Sequence, residues 1–225
     1  MAAAPAASIR RVIARGVSKV YGRTVALRPV DVTLERATMT LIEGANGSGK
    51  STLLGILGTT IKPTGGVLEH EPGGTDPRTL RAQIGWVSHE SLSYPDLTGR
   101  QNIELMARLQ GIDAGEAWAR AEERFELGAF ARRALRTCSR GQRQRVALAK
   151  ALVHGPSLVL LDEPTAGLDK TSVSRLTEVV EAEVARGAAV VVVTHEPLVF
   201  ARPGVVRLQL ERGRLAGRTI EAPAT

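Results

Sequence analysis

At positions 44–51 the chain carries the stretch Gly44-Ala45-Asn46-Gly47-Ser48-Gly49-Lys50-Ser51. An apolar run over residues 39–42 precedes this stretch, and a helix-like run over residues 51–57 follows it. A strand, a glycine-rich turn and a helix in this order form a phosphate-binding loop. In such a loop, backbone N–H groups and the positive end of the helix hold the α- and β-phosphates of a nucleotide. The stretch therefore predicts a nucleoside triphosphate site in an α/β fold.

Two side chains of the phosphate-binding loop (residues 44–51) carry the predicted chemistry. Lys50 is expected to reach the β- and γ-phosphates, and the Ser51 hydroxyl is expected to ligate Mg²⁺. Neither asparagine of the chain, Asn46 or Asn102, begins the Asn-Lys-x-Asp motif of guanine-specific proteins, which leaves nucleotide kinases and ATPases as open classes. The predicted nucleotide contacts of this region are Asn46, Gly47, Ser48, Gly49, Lys50, Ser51 and Thr52.

A second motif lies at positions 158–164, Leu158-Val159-Leu160-Leu161-Asp162-Glu163-Pro164. Apolar residues that end in two carboxylates are typical of a buried parallel strand, and doubly wound sheets bind ligands at the carboxyl ends of such strands. Asp162 is predicted to complete the Mg²⁺ shell, directly or through water. Glu163 points the opposite way along a strand, so it can face and polarise an attacking water. A strand followed by a solvated acidic turn is the alternative interpretation, which the phosphate-binding loop disfavours.

A third motif, the signature segment, spans residues 138–145, Cys138-Ser139-Arg140-Gly141-Gln142-Arg143-Gln144-Arg145. From the residue types alone, Ser139 is a helix N-cap. The segment resembles the Leu-Ser-Gly-Gly-Gln signature of the ATP-binding-cassette (ABC) ATPases, with Cys138 in place of Leu and Arg140 in place of the first Gly. The resemblance implies that the γ-phosphate of ATP bound to a second copy is contacted by Ser139 and Gly141, with Gln142 beside them.

Three further elements resemble the same family. Residues 167–169, Gly-Leu-Asp, resemble the loop that crosses the interface between two copies. The apolar run 190–193 leads through a threonine to His195, which resembles the switch histidine of the family and is expected to hydrogen-bond the γ-phosphate. Residues 17–22 resemble the segment whose aromatic ring stacks on adenine, so Tyr21 is a predicted contact. A half-buried strand residue is the alternative interpretation of Tyr21.

One position departs from the family pattern. ABC ATPases usually have a glutamine after the strand that corresponds to residues 84–87, and this chain has His89 there, followed by Glu90. Neutral histidine is a poorer ligand than oxygen for Mg²⁺, so slower or differently coupled hydrolysis is expected. Residues 89–98, together with the signature segment, are similar to the ATPase subunit of haem-exporter-type transporters from cytochrome c maturation. In such subunits a His often precedes the glutamine, so this similarity would put Glu90 in the place of the glutamine. It favours export over import, a choice that the sequence alone leaves open.

The remaining runs predict the architecture. Strand-like runs before residue 50 and strand–helix alternation after residue 158 predict a doubly wound α/β core of the P-loop NTPase type. An antiparallel β layer near the N-terminus and an inserted helical subdomain, over about residues 98–155, complete the predicted fold. Residues 1–8 are expected to form a disordered lead-in, and residues 9–225 a single ABC nucleotide-binding domain.

Length and composition fit one catalytic unit. The chain has 225 residues, of which 43% are hydrophobic, and it has no apolar stretch long enough to span a bilayer. Its single cysteine, Cys138, fits a reducing cytoplasm. The net charge is +7, but only 3% of the residues are aromatic, which leaves few platforms for stacking on bases. No nucleic acid partner is therefore expected.

These observations predict an ATPase with ATP and Mg²⁺ as its ligands and with Glu163 and His195 as its catalytic residues. The family resemblance implies that a second copy of the chain encloses two ATP molecules and that an integral membrane transporter subunit is driven by their hydrolysis. The predicted location is the cytoplasmic face of the inner membrane, where the chain is peripheral. A soluble ABC ATPase that acts on nucleic acid or ribosomes is the alternative.

Overall fold

The computed structural model describes residues 8–72, 77–88 and 93–222. Residues 1–7 of the predicted lead-in lie outside the described residues, and so do His89 and Glu90, which were expected in place of the family glutamine. Within the described part, Ile9 is buried and its N–H donates to Oε1 of Gln83 at 2.8 Å. The division into lead-in, domain and helical subdomain stays a prediction.

An antiparallel sheet lies near the N-terminus, as predicted. Strand β1 (Arg11–Tyr21) pairs antiparallel with both β2 (Thr24–Glu35) and β4 (Gly65–Glu71). The sequence predicts two short strands over residues 24–34, whereas the structure has one long strand. Pro29 lies where the register against β1 shifts, because proline cannot donate a ladder hydrogen bond. The strand therefore continues through an irregularity that looks like a break in the sequence.

A six-stranded sheet forms the centre of the fold. Its neighbouring strands are parallel except for the last pair, which is an antiparallel hairpin. This arrangement confirms the predicted doubly wound α/β core. In spatial order the strands are β5 (Ile84–Val87), β6 (Leu158–Asp162), β7 (Ala189–Val193), β3 (Met39–Glu43), β8 (Val206–Glu211) and β9 (Arg214–Ile220).

Helices cover both faces of the central sheet, and polar side chains begin several of them. Thr98, Asp113, Ser139 and Asp169 each accept a hydrogen bond from the backbone N–H three residues later, which is the usual geometry of an N-cap. The helices are α1 (Lys50–Leu57), α2 (Pro77–Arg81), α3 (Gly99–Leu109), α4 (Ala114–Arg124), α5 (Arg140–Leu152) and α6 (Lys170–Ala185). Within the described ranges, no helix is long and apolar enough to cross a bilayer.

The core divides at the central sheet because successive side chains of a strand point to opposite faces. Leu41 and Val192 lie on the face that packs against α5 and α6. Ile42 and Val193 lie on the other face, against α1 and the antiparallel sheet. All four side chains are fully buried. Runs of apolar residues in β3, β6 and β7 thus supply two hydrophobic cores at once.

A buried carboxylate ties α4 to α6. Glu183 is 1% exposed, and its Oε1 lies 2.6 Å from the guanidinium of Arg124 at the end of α4. Arg186 pairs with the other carboxylate oxygen and also donates to the carbonyl of Pro156 at 2.6 Å. A buried charge is tolerated when it is paired and hydrogen-bonded in this way. The network holds the helices before the signature segment against the α/β core.

Leu41→Ala is expected to lower the free energy of unfolding by about 2–5 kcal/mol, because it leaves a cavity in a fully buried part of the core. The matched control is Leu109→Ala on α3, where the side chain is 72% exposed. The control should change the free energy of unfolding by less than about 0.5 kcal/mol. Urea unfolding followed by circular dichroism measures both variants. Equal losses would contradict the placement of Leu41 in the core.

Candidate nucleotide-binding site

A cleft of about 640 Å³ lies beside the phosphate-binding loop, at the carboxyl ends of β3, β6 and β7. Ligands of open α/β sheets bind at this edge because the loops there leave in opposite directions. The cleft brings together two motifs that are separated by more than a hundred residues in the sequence. Of the predicted site residues, those that line it are Asn46, Gly47, Gly49, Lys50, Ser51, Thr52, Asp162, Glu163 and His195.

The phosphate-binding loop needs glycine at two positions where other chain segments come close. Gly44 has a φ of +143°, and a Cβ there would lie 2.2 Å from the carbonyl oxygen of Leu210. Gly49 has a φ of +102°, and a Cβ there would lie 2.7 Å from the carbonyl oxygen of Ala26. Gly49 is also the N-cap residue of α1. Glycine thus allows both the left-handed turn and the close approach of the neighbouring backbone.

Lys50 folds back over its own loop. Its ammonium group donates to the carbonyls of Gly44 at 2.7 Å and Ala45 at 3.1 Å, and the residue is only 7% exposed. An ammonium group has three donors, so one remains for a ligand in the cleft. These two hydrogen bonds fix the ammonium group of a residue that lines the cleft, which suits contact with a phosphate.

Glu163 is held in an unusual conformation at the end of β6. Its φ is +49°, and its N–H donates to the carbonyl of Val193 at 2.9 Å. A non-glycine residue in the left-handed region pays a conformational cost that the surrounding structure must offset. Two hydrogen bonds supply that support: the one from the Glu163 N–H to β7, and a turn in which the Ala166 N–H donates to the carbonyl of Glu163 at 3.2 Å.

His195 contacts both Glu163 and the phosphate-binding loop. Its backbone N–H donates to Oε2 of Glu163 at 3.3 Å, and its ring Nε2 lies 3.0 Å from Oδ1 of Asn46. The same Nε2 lies 3.2 Å from Oε1 of Glu163, but hydrogen-bond geometry is met at Asn46 only. Among the described residues, Oε1 of Glu163 therefore has no hydrogen-bond partner although it is buried. A buried acceptor without a partner is a position for water or a ligand.

The donor atoms of the cleft fit a magnesium nucleotide. Mg²⁺ prefers hard oxygen ligands, which the Ser51 hydroxyl and the Asp162 carboxylate provide. Asp162 is 9% exposed, so its charge is largely withdrawn from solvent beside the cleft. Lys50 and the N–H groups at the start of α1 suit the phosphates. These residues match the cofactors that the sequence predicts.

Two predicted contacts do not line the cleft. Tyr21 is 48% exposed, and its ring lies 5.0 Å from the ammonium of Lys19. Ser48 is 4% exposed, and its Oγ is buried without a hydrogen-bond partner among the described residues. Sequence reasoning instead missed the residues that follow the hairpin turn after Tyr21 and line the cleft. These are Thr24, Val25 and Ala26.

The signature residues also lie outside this cleft. Ser139 caps α5: its Oγ accepts from the N–H of Gln142 at 3.2 Å, and its own N–H donates to Oε1 of Gln142 at 3.0 Å. Gly141 lies against α6, since a Cβ there would be 3.2 Å from Oγ of Ser172. Within one chain, the structure therefore does not bring these three residues to the phosphate-binding loop. Their predicted role depends on a second copy.

The chain belongs to the ABC transporter family. The model of that family, described as ABC transporter, matches residues 27–166, from β2 to the loop after Glu163. Fold, cleft geometry and family membership agree on an ATP-binding cassette, the nucleotide-binding subunit type of these transporters.

Solved structures agree with this assignment. The chain superimposes on the dimeric ATP-binding cassette MJ0796, in a post-hydrolysis state bound to ADP and Pi, with a TM-score of 0.84 and 29% sequence identity. The match covers 95% of this chain and 100% of MJ0796. The superposition confirms the predicted fold class.

Relatives differ in length and in named role. The daunorubicin/doxorubicin resistance ATP-binding protein DrrA of Streptomyces peucetius is 36% identical over 83% of this chain, which spans 58% of that relative's length. The lipoprotein-releasing system ATP-binding protein LolD 1 of Caulobacter vibrioides is 34% identical, with 90% of this chain and 93% of the relative covered. The macrolide export ATP-binding/permease protein MacB of Rhodopseudomonas palustris is 34% identical over 85% of this chain and 31% of its own length.

Gly49→Ala is expected to impair the site more than Gly47→Ala. Both positions have a left-handed φ, but a Cβ at Gly47 meets no atom within 4 Å, whereas at Gly49 it meets the carbonyl of Ala26 at 2.7 Å. The Gly49 variant must therefore shift the start of α1. We expect its dissociation constant for a fluorescent ATP analogue to rise at least about tenfold above that of the Gly47 variant, a difference of roughly 1.4 kcal/mol. Equal affinities would contradict the described loop geometry.

Proposed function

We propose that this chain hydrolyses ATP with Mg²⁺ and, as a pair of identical copies, powers an integral membrane transporter subunit. The observation that carries the proposal is the geometry around Glu163. Glu163 lines the cleft of the phosphate-binding loop, and its Oε1 is buried 3.2 Å from Nε2 of His195 without a hydrogen-bond partner among the described residues. A carboxylate placed in this way can orient a water and accept its proton.

Each residue of the cleft has a role in this proposal. Bound Mg²⁺, held by Ser51 and Asp162, supplies the charge that neutralises the phosphate oxygens. Lys50 donates its free hydrogen bond to the β- and γ-phosphates. Glu163 accepts a proton from the attacking water. His195 exchanges its contact with Asn46 for one with the γ-phosphate and thereby fixes the position of the transferred group.

Pairing of two copies completes the proposed site. Ser139 caps α5 and Gly141 lies in its first turn, where backbone N–H groups and the helix dipole suit a phosphate of the second copy's nucleotide. Gln142 holds the cap in place through its side chain. The dimeric structure of MJ0796 supports this arrangement. Closure of the pair would drive the membrane subunit, and hydrolysis would reset it.

The proposed partner is an integral membrane subunit, and the proposed location is the cytoplasmic face of the inner membrane. The name of the MacB relative, an ATP-binding/permease protein, joins a related cassette to a permease and supports this partner. The proposed cassette domain extends over residues 9–225, with the helical subdomain at about 98–155. The haem-exporter type remains a narrower hypothesis that rests on residues 89–98 and the signature segment. The names of the three relatives concern drug resistance, lipoprotein release and macrolide export instead.

Glu163→Gln is expected to abolish turnover while it preserves nucleotide binding. The amide keeps the shape of the side chain but cannot accept the proton, so ATP should hold the pair closed. Phosphate release is expected to fall at least about a hundredfold, within the usual range for loss of a general base. Size-exclusion chromatography with light scattering measures the ATP-dependent pair.

The matched control for that experiment is Glu123→Gln, an exposed glutamate of α4, which should leave turnover unchanged. Unchanged turnover in Glu163→Gln would refute the proposed function. Adding RNA or DNA to the wild-type assay tests the alternative, a soluble ABC ATPase that acts on nucleic acid or ribosomes. Only the ATPase activity of such a protein should be stimulated by nucleic acid.

Substitutions of Ser139 separate its two roles. Ser139→Asp keeps a good N-cap, so the free energy of unfolding should stay within about 0.5 kcal/mol of the wild type. Its negative charge should nevertheless prevent ATP-dependent pairing in the Glu163→Gln background. Ser139→Ala should lose about 1 kcal/mol of stability through the missing cap. Light scattering and urea unfolding measure the two effects, and normal pairing of Ser139→Asp would exclude Ser139 from the phosphate contact.

A further inference from the structure

The signature helix α5 contacts the loop that follows Glu163 in the same chain. Nε2 of Gln144 donates to the carbonyl of Pro164 at 3.1 Å. One helical turn earlier, Arg140 packs over Gly167: a Cβ on Gly167 would lie 2.9 Å from both Cζ and Nε of Arg140. The two α5 residues are four apart and therefore share one helix face. We call the segment of residues 164–167 the catalytic-loop extension.

Helix electrostatics do not explain the position of Arg140. It is the first residue of α5, and a cation is unfavourable at the positive end of a helix dipole. The first turn of α5 contains no acidic residue. In the part of the chain that the structure describes, the guanidinium makes no hydrogen bond or ion pair with another residue. Packing against Gly167, whose φ is +67°, is the contact that places it.

The catalytic-loop extension is short and anchored at both ends. Glu163, directly before it, donates a backbone hydrogen bond to Val193, and Asp169, two residues after it, is the N-cap of α6. Hydrogen bonds from the Ser172 backbone and side chain lower the pKa of Asp169, which keeps this cap charged. Because the segment is short and anchored, a displacement of the α5 N-terminus is expected to displace Glu163 as well.

We propose that Arg140 and Gln144 link the phosphate contact of Ser139 to the position of Glu163 in the same chain. The inference rests on the proposed pair, in which Ser139 contacts the nucleotide of the second copy while Glu163 acts at the chain's own nucleotide. Binding of nucleotide at one site of the pair then determines the position of the Glu163 carboxylate at the other site. Arg140 and Gln144 are positioning residues, since neither lines the nucleotide cleft.

A combination of two substitutions, Arg140→Ala and Gln144→Ala, tests the link. The doubly substituted chain is expected to lower kcat at least about fivefold, the lower end of typical coupling between sites. The Hill coefficient for ATP should fall toward 1, while the dissociation constant for ATP stays within about twofold, as expected when only the coupling is lost. The single substitution Arg140→Lys should keep kcat and cooperativity at the wild-type level, because the alkyl chain of lysine still covers Gly167. Arg132→Ala, an exposed arginine outside α5, is the matched control.

A double-mutant cycle with Gly167→Ala tests the contact itself. The added methyl group collides with Arg140 in the wild type but has room in Arg140→Ala, so the two substitutions should be non-additive in kcat. Arg132→Ala and Gly167→Ala should be additive. The cycle can also be measured by urea unfolding, where the same collision should appear if the doubly substituted chain is too inactive to assay.

The outcomes separate this inference from the proposed function. A wild-type chain with neither ATP turnover nor ATP-dependent pairing would refute the proposed function. Wild-type turnover and cooperativity that persist unchanged in the Arg140 and Gln144 variants would overturn only the link. Additivity of Arg140→Ala with Gly167→Ala would likewise overturn it.

Discussion

Parallel pairing of β3, β6 and β7 is the constraint on which the site depends. Ile42 and Asp162 both lie opposite Val193 in this ladder, so β3 and β6 end at the same level. The phosphate-binding loop, the carboxylates and His195 therefore leave the sheet together. A slip of one residue would turn each strand's buried side chains to the opposite face. Burial on both faces of the sheet thus fixes the strand register, which stabilises the core and also determines where the site residues lie.

The residues with positive φ at the site are held in place by strands that lie outside their own sequence motifs. The carbonyl of Ala26 in β2 leaves no room for a Cβ at position 49, and the carbonyl of Leu210 in β8 leaves none at position 44. The N–H of Gly213 donates to the carbonyl of Ser48 at 3.0 Å. Glu163, with its positive φ, depends in the same way on Val193 of the neighbouring strand. The conformation of each motif is therefore a tertiary property, although its residues are adjacent in the sequence.

Residues whose role follows from local chemistry were predictable from the sequence. The phosphate-binding loop requires glycine turns and a helix start, and a strand that ends in carboxylates requires burial, so Lys50 and Asp162 could be placed before the fold was known. Contacts between distant segments were not predictable. Position along the strand did not indicate that Tyr21 would face solvent while Thr24 lines the cleft, because a hairpin decides which residues come near the loop. The contact of Arg140 with Gly167 likewise needs the packing of α5 on α6.

The order of strands in the central sheet has a consequence for biosynthesis. β3, which leads into the phosphate-binding loop, is flanked by β7 and β8, and both lie at least 145 positions later in the sequence (from Glu43 to Ala189 and Val206). On the ribosome, both edges of β3 must stay unpaired until β7 and β8 have been translated. Such late, non-local closure slows folding and exposes a hydrophobic strand edge to aggregation. ATP can therefore stabilise the nascent chain only after β7 and β8 have left the exit tunnel.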